Sequence, residues 1–537
     1  MILNLENILK NPEVWKSKGI DIPEFDILKI RENTLKRPKW VHIGPGNIFR
    51  GFIARIQQNL IKKGLEDSGI IAVDFFDEEV PEFYKKFDNL TIAVTINNDG
   101  NFTKEIIASV VETLNGNPEF KDWEKLIDLV KKDSLQLISL TITEKGYNLT
   151  DQSGNFYSFV LEDFNKGPDK PKSTMGKITS LLFERYKSNK KPISLLSLDN
   201  FSKNGEKLLS SILTIAEKWL EKNFVDKNFI DYLHENVSFP LSMIDKIVPS
   251  PSEVIKNELI KIGIENIEIH VTNKKTYLAP FVNMENSQYL VIEDNFKNSR
   301  PLFENGGKNI FLTNKETVIK SEKMKVSACL NPLHTALAVY GCLLDYKKIA
   351  DEMEDELLKK LVIGIGEEGV KVVEDPGIIN PREFLNEVIN VRLPNKYIPD
   401  TPQRIATDTS QKIPIRFGET IKAYYESKEL DPEKLKYIPI AIAGWLRYLM
   451  GINDNGNPFI PSPDPLLKKL QDNLKNIKFG VLSSVKNNLK PILSNKELFK
   501  VNLYETNLGI RIENLFKFMI RRKHAIRQTL KEQLEKR

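Results

Sequence analysis

Residues 40–51 read Trp40-Val41-His42-Ile43-Gly44-Pro45-Gly46-Asn47-Ile48-Phe49-Arg50-Gly51, and this stretch decides the fold. An apolar run ends at Gly44, a second glycine follows at Gly46, and the helical pattern FIARIQQNLIKKGLED comes directly after. Glycines at a strand-to-helix turn let the backbone approach a pyrophosphate, and the helix N-terminus supplies N–H donors and a partial positive charge. The dinucleotide fingerprint has a third glycine where Phe49 stands; here Gly51 comes two residues late. Outward from this turn, the runs 69–76, 90–96, 135–143 and 192–198 are rich in Val, Ile and Leu, without clean polar alternation. Strands of a sheet covered on both faces have that texture. With helical stretches between several of them, the order implies an α/β protein with a Rossmann-type, doubly wound parallel sheet. Segments 264–272 and 288–296 read as further strands.

Near residue 300 the texture changes to long helical patterns, such as HTALAVYGCLLDYKKIADEMEDELLKKLVIGIGEEG and IPIAIAGWLRYLM. We therefore expect a dinucleotide-binding domain with an N-terminal extension over 1–303 and a mostly helical substrate domain over 304–537. The 537 residues carry 78 Lys+Arg against 73 Asp+Glu, a net +5 too diffuse to argue for nucleic acid. Two cysteines, Cys329 and Cys342, exclude a disulfide scaffold, and five scattered histidines argue against a metal site. The N-terminal residues do not read as a secretory signal. The longest apolar stretch, 437–450, is too short for a bilayer. The expectation is a cytoplasmic enzyme without membrane or nucleic-acid partners. The basic C-terminal stretch FKFMIRRKHAIRQTLKEQLEKR reads as one amphipathic helix packed by one face.

Asp74 ends the second strand, where a carboxylate accepts hydrogen bonds from an adenosine ribose and repels a 2′-phosphate, which favours NAD over NADP. Asp77 is a competing carboxylate on the same loop.

The GPGNIFRG turn resembles the GxGNFxRAH signature of the long-chain polyol dehydrogenases, the mannitol dehydrogenase and fructuronate reductase family. The similarity continues in order through Ser139–Tyr147, Asp199-Asn200 with Asn204-Gly205, and Phe239-Pro240 to Asp245-Lys246-Ile247. It goes on through Ile292–Phe296, Asn331 with His334, Arg404 with Lys412, and AGWLRYL at 443–449. The resemblance implies coenzyme contacts from Gly44, Gly46, Asn47, Arg50 and Asp74, and a metal-independent active site. Oxidising a secondary alcohol requires a base for the hydroxyl proton and donors for the developing alkoxide. A desolvated lysine can serve as that base, because burial penalises its charged form. Lys325 matches the family's catalytic lysine, Asn200 and Asn331 its oxyanion-holding amides, and His334 its substrate-binding histidine. Arg404 and Lys412 match the substrate-side cations, and Asp245 and Glu322 the acidic residues of the proton path. The implied substrate is a keto-sugar acid or polyol, foremost fructuronate reduced to mannonate. Mannitol or arabinitol dehydrogenase and tagaturonate reductase are the alternatives, and a catalytically inactive binding sensor is the non-enzyme reading. The family is often monomeric, and the same is expected here.

One departure has a structural consequence. Five residues, Val326 to Leu330, separate Lys325 from Asn331, where the family usually has four. On a continuous α-helix the extra residue would rotate Lys325 by about 100°. Pro332 cannot bond to the carbonyl of Ala328, so a break or bulge is expected, with a helix start at Asn331 and Lys325 on a separate segment.

Overall fold

Alternation of the apolar side chains across each strand feeds two cores, one on either face of a single sheet. In the computed structural model, which describes residues 1–97, 99–151, 153–398 and 400–535, six strands form this sheet. They are β1 (Trp40–Ile43), β2 (Ile70–Asp74), β3 (Val110–Asn115), β4 (Leu137–Leu140), β5 (Ile193–Ser197) and β6 (Val237–Ser238). All neighbours pair in parallel, in the order β3-β2-β1-β4-β5-β6. This is the strand order of a dinucleotide-binding Rossmann fold, and it opens a crevice where the order reverses at β1. Val41, Ile43, Ile71 and Val73 pack on one side, while Trp40, Ile70 and Ala72 pack on the other with Phe52, Ile56 and Leu60.

Two of the expected strands behave differently. The run 90–96 does form a strand, Thr91–Ile96, but it leaves the parallel sheet. It pairs antiparallel with Phe102–Ile107 and parallel with Phe281–Glu285 in a separate four-stranded sheet. The connection to 102 is too short for a parallel crossover, which needs a dozen or more residues, so an antiparallel hairpin is its outlet. Its place in the main sheet goes to β3, whose apolar pattern is interrupted by Glu112 and Thr113. In segment 264–272 only His270–Val271 is a strand, exposed and paired with Tyr277–Leu278. Segment 288–296 forms the strand Tyr289–Glu293, between Ser242–Asp245 and Ile310–Thr313.

The chain divides into two compact units, Met1–Ile319 and Lys320–Arg537. Among its described residues the second unit carries helices and no β-ladder. Its core helices include Asn331–Leu343, Glu356–Val370, Tyr437–Leu449 and Leu508–Ile520. Tyr340 donates its hydroxyl to the Ile440 carbonyl (2.8 Å), and a Cβ on Gly444 would lie 2.6 Å from the Tyr340 ring, so these helices meet at a glycine. The helical run Lys315–Leu343 is long and apolar enough to cross a membrane, but 83% of its apolar window is buried inside the structure, as in a core helix. The C-terminal stretch is two helices, not one. Leu508–Ile520 stops, His524 takes a positive φ, and Ala525–Leu534 begins with Asp454 accepting from the Ile526 N–H.

Candidate active site

Gly44 leaves β1 with φ +92°, and a Cβ there would lie 2.2 Å from the Thr141 carbonyl oxygen. The fold itself therefore demands glycine at this position. Gly46 is different: a Cβ on it would meet nothing within 4 Å, so the open space above it suits the close approach of a ligand. Beneath the turn sits His42, fully buried, with Nε2 2.9 Å from Thr141 Oγ1 and Nδ1 2.7 Å from Ser139 Oγ. Burial pushes its pKa down to about 3, so it is a neutral prop. Phe49, in the place of the fingerprint's third glycine, stacks on the His42 ring at 3.9 Å. Gly51 takes over the close-packing role, since a Cβ there would press on Val282 and Met284 at 3.1 and 3.2 Å. A π-helical turn, Phe49–Ile53, accompanies this two-residue shift.

Arg50 is buried rather than presented to solvent. It donates to Asn47 Oδ1 (2.9 Å) and the Ala279 carbonyl (2.9 Å) and lies over the Tyr84 ring. It braces Asn47, whose amide also reaches the Pro249 carbonyl (3.3 Å).

At the ends of β2 and β3 a cavity of about 440 Å³ is lined by Asp74, Phe76, Asn115, Asn117, Lys177 and Lys274, among others. Its size is that of a small-molecule subsite. Asp74 is held through Oδ1 by the N–H groups of Phe76 and Asp77, both at 2.7 Å. Burial raises its pKa, with those N–H groups opposing. Asp77 is committed elsewhere: it is buried and accepts from Thr272 (2.6 Å) and Thr276 (2.7 Å), tying the 270–278 hairpin to this loop. Burial would raise the Asp77 pKa, but the two hydroxyls overcome it and hold the carboxyl low. Both carboxylates line the cavity, but only Asp74 has an oxygen to spare, since both oxygens of Asp77 already accept hydrogen bonds. Lys177, absent from the sequence-derived set, is pushed down to about 8 by burial and donates to the Phe75 carbonyl (3.0 Å).

Asp199 gives the Thr-Ile-Thr-Glu-Lys-Gly-Tyr block a structural role without chemistry. It accepts from the N–H groups of Ile142 (2.9 Å) and Thr143 (2.8 Å) and from the Tyr147 hydroxyl (2.7 Å). Asn200, the next residue, is exposed beyond the end of β5. Asn204 joins this loop to the strand bearing Asp245, donating to the Asp199 and Ser242 carbonyls. Asp245 itself is buried.

The helix Lys315–Lys323 runs into a π-turn, Met324–Cys329, and α-helix resumes at Asn331. The N–H of Leu330 donates to the carbonyl of Lys325, five residues back (3.2 Å). The helix start at Asn331 is as expected, but Lys325 is not on a separate segment: a π-bulge keeps the helix going while taking up one residue. Pro332 is the local reason, since it leaves the Ala328 carbonyl without an α-helical donor. Lys325 is 1% exposed, whereas Lys323 is exposed and Glu322 half-buried. The Asn331 side-chain amide donates to no described residue.

His334 Nε2 lies 3.0 Å from Asp400 Oδ2, and Arg404 pairs with the other oxygen of the same carboxylate. Burial lowers the His334 pKa, with Asp400 opposing. Arg404 is thus neutralised and largely exposed. Lys412 donates to the Ile405 (2.9 Å) and Thr407 carbonyls, closing the end of the helix Pro402–Ile405; burial, then Arg416, pushes it down to about 8. Asp400 and Arg416 were missed from sequence. Asp400 stands four residues before Arg404, an ion-pair spacing that local reading can find. Arg416 carries no such signal. Among the described residues no group of three or more His, Cys, Asp or Glu is arranged to hold a metal ion.

Comparison with known proteins places these two groups of residues in a family. The mannitol dehydrogenase Rossmann domain matches residues 38–305 and the mannitol dehydrogenase C-terminal domain matches 317–516. A D-mannonate oxidoreductase of Thermotoga maritima is 61% identical over 533 residues, 99% of each chain. A mannitol 2-dehydrogenase of Neosartorya fischeri is 30% identical over 447 residues, 80% of this chain and 82% of that one. The solved mannitol 2-dehydrogenase of Pseudomonas fluorescens, in complex with NAD and D-mannitol, has the same fold: TM-score 0.77 over 100% of both chains at 23% identity. With matched models spanning most of its length, the chain belongs to the mannitol dehydrogenase family.

Proposed function

We propose that this chain is an NAD-dependent oxidoreductase that interconverts a keto-sugar acid and its secondary alcohol, D-fructuronate and D-mannonate. The observation that carries the reading is the 61% identity, over 99% of both chains, to a protein named D-mannonate oxidoreductase. We read the first part of the chain as the dinucleotide-binding domain and the helical part as the substrate domain of a cytoplasmic monomer. The residues suit the coenzyme: the turn Gly44–Asn47 leaves room for a pyrophosphate, and Asp74 offers an oxygen to ribose hydroxyls beside a cavity of about 440 Å³. When bound there, NAD(H) supplies or accepts the hydride at the reacting carbon.

The protein's own groups handle the proton and the charge. In the reductive direction the Lys325 ammonium gives its proton to the carbonyl oxygen; in the oxidative direction the neutral amine takes it back. Near-complete burial supports that role, because a desolvated lysine releases its proton more readily than a solvated one. The Asn331 amide donates to that carbonyl oxygen as charge develops on it, and the family resemblance gives the Asn200 amide the same kind of role. Asp400 orients His334 through Nε2, leaving Nδ1 for a substrate hydroxyl. Arg404 and Lys412 act on the substrate side, and Asp245 and Glu322 on the proton path.

NADH absorbance with fructuronate, tagaturonate, fructose and other ketoses tests the reading directly. Fructuronate is expected to give the highest kcat/KM; a preference for fructose would move the chain to the mannitol-oxidising branch, and no turnover with any substrate to a binding role. Exhaustive chelation is expected to leave the rate intact. Loss that added zinc restores would overturn the lysine mechanism.

A further inference from the structure

Arg416 lies in the π-turn Pro414–Gly418, half-buried, and its charge meets no carboxylate among the described residues. Its Nη1 donates to two neutral oxygens, the Asn331 carbonyl (3.3 Å) and Thr335 Oγ1 (2.5 Å). Both belong to the first five residues of the helix that carries Asn331 and His334. Its Nε and Nη2 donate to no described residue, and neither is sealed from solvent. Those two N–H groups form the side of the guanidinium that grips a carboxylate bidentately. The neighbouring cations are already engaged: Arg404 with Asp400, and Lys412 with two backbone carbonyls. A partly desolvated positive charge without a counter-ion is stabilised when a ligand supplies one. Burial lowers the Arg416 pKa to about 10, as expected where no anion offsets desolvation.

We propose that Arg416 is the specificity residue that binds the carboxylate of the sugar acid, through Nε and Nη2, while Nη1 fixes its position relative to Asn331. The inference rests on the sugar-acid reading and names the group that selects an acid over a neutral ketose. Arg404, the cation favoured from sequence, would then act on hydroxyls or hold Asp400.

The test is steady-state reduction of a carboxylate-bearing ketose and of a neutral ketose by wild type, Arg416→Gln and Arg416→Lys, with NADH binding followed by fluorescence. Arg416→Gln is expected to lower the ratio of kcat/KM for acid over neutral substrate by about a hundredfold, the effect of losing a buried charge-paired partner. Arg416→Lys keeps the charge but loses the fork, and should fall in between. In the wild type, a non-reducible aldonate should compete with the keto-acid, and the matching alditol should not at the same concentration. An unchanged acid-to-neutral ratio in both variants would overturn the proposal, leaving Arg416 as a prop for Asn331. Should Arg416→Gln fail to fold, an unchanged ratio in Arg416→Lys together with alditol inhibition equal to that of the aldonate would do the same. A wild type that prefers neutral ketoses would instead overturn the functional reading.

Discussion

Leu330 donates its N–H to the carbonyl of Lys325, five residues back, where an α-helix would have used Val326. That bond is the signature of a π-turn, and it takes up the one residue by which this chain exceeds its family's spacing. Lys325 thereby keeps the angular position that a four-residue spacing would give it. Pro332→Ala restores a backbone donor and lets the α-helical pattern close. We expect kcat to fall by about tenfold or more as Lys325 turns away, with NADH affinity unchanged. A variant with wild-type kcat would separate the bulge from catalysis.

Lys325→Ala should lower kcat at least about a hundredfold, the usual minimum for a lost general acid–base group. Coenzyme binding, measured by NADH fluorescence, should barely move, and a small primary amine should restore part of the rate. Lys323→Ala, at an exposed position two residues away, should stay near wild type. The opposite pattern would assign the proton to the wrong lysine.

Asp74 rather than Asp77 should set coenzyme choice, since Asp77 is spent on Thr272 and Thr276. Wild type is expected to favour NADH over NADPH in kcat/KM. Asp74→Ser should narrow that preference by about tenfold, the value of a hydrogen bond to a charged group. Asp77→Asn should leave the preference alone and lower Tm instead. A switch in preference from the Asp77 variant would reverse the assignment.

Glu352 is fully buried, and neither of its carboxyl oxygens has a hydrogen-bond partner among the described residues. Burial, then Asp351, Asp355 and Asp400, raises its pKa well above 4.5. The folded state therefore holds this proton more tightly than the unfolded state does. Its contribution to stability is full below the unfolded pKa and declines as pH rises from there toward the folded value. Glu352→Gln keeps the shape and removes the titration, so its Tm advantage over wild type should widen as pH rises above the ordinary carboxylate range. A gap that is constant, or widens toward acid, would show that the carboxyl is not neutral in the fold.

Local sequence determined the elements whose causes are local. The Val/Ile/Leu runs became buried parallel strands because both sheet faces are covered, and Gly44 had to be glycine because its φ is positive and Thr141 lies against it. Proline at 332 announced an irregular helix for the same kind of reason, a missing donor in the next turn. Tertiary structure decided whatever depends on partners distant in sequence. Two carboxylates three residues apart, Asp74 and Asp77, look alike in the chain; hydroxyls almost two hundred residues away commit one and leave the other. The strand 91–96 carries the same apolar texture as its neighbours, and only its pairing with 102–107 and 281–285 takes it to another sheet. Arg416 shows the limit most plainly. A cation is read as paired or unpaired only when the space around it is known, because Coulomb interaction depends on distance in three dimensions and not on spacing along the chain.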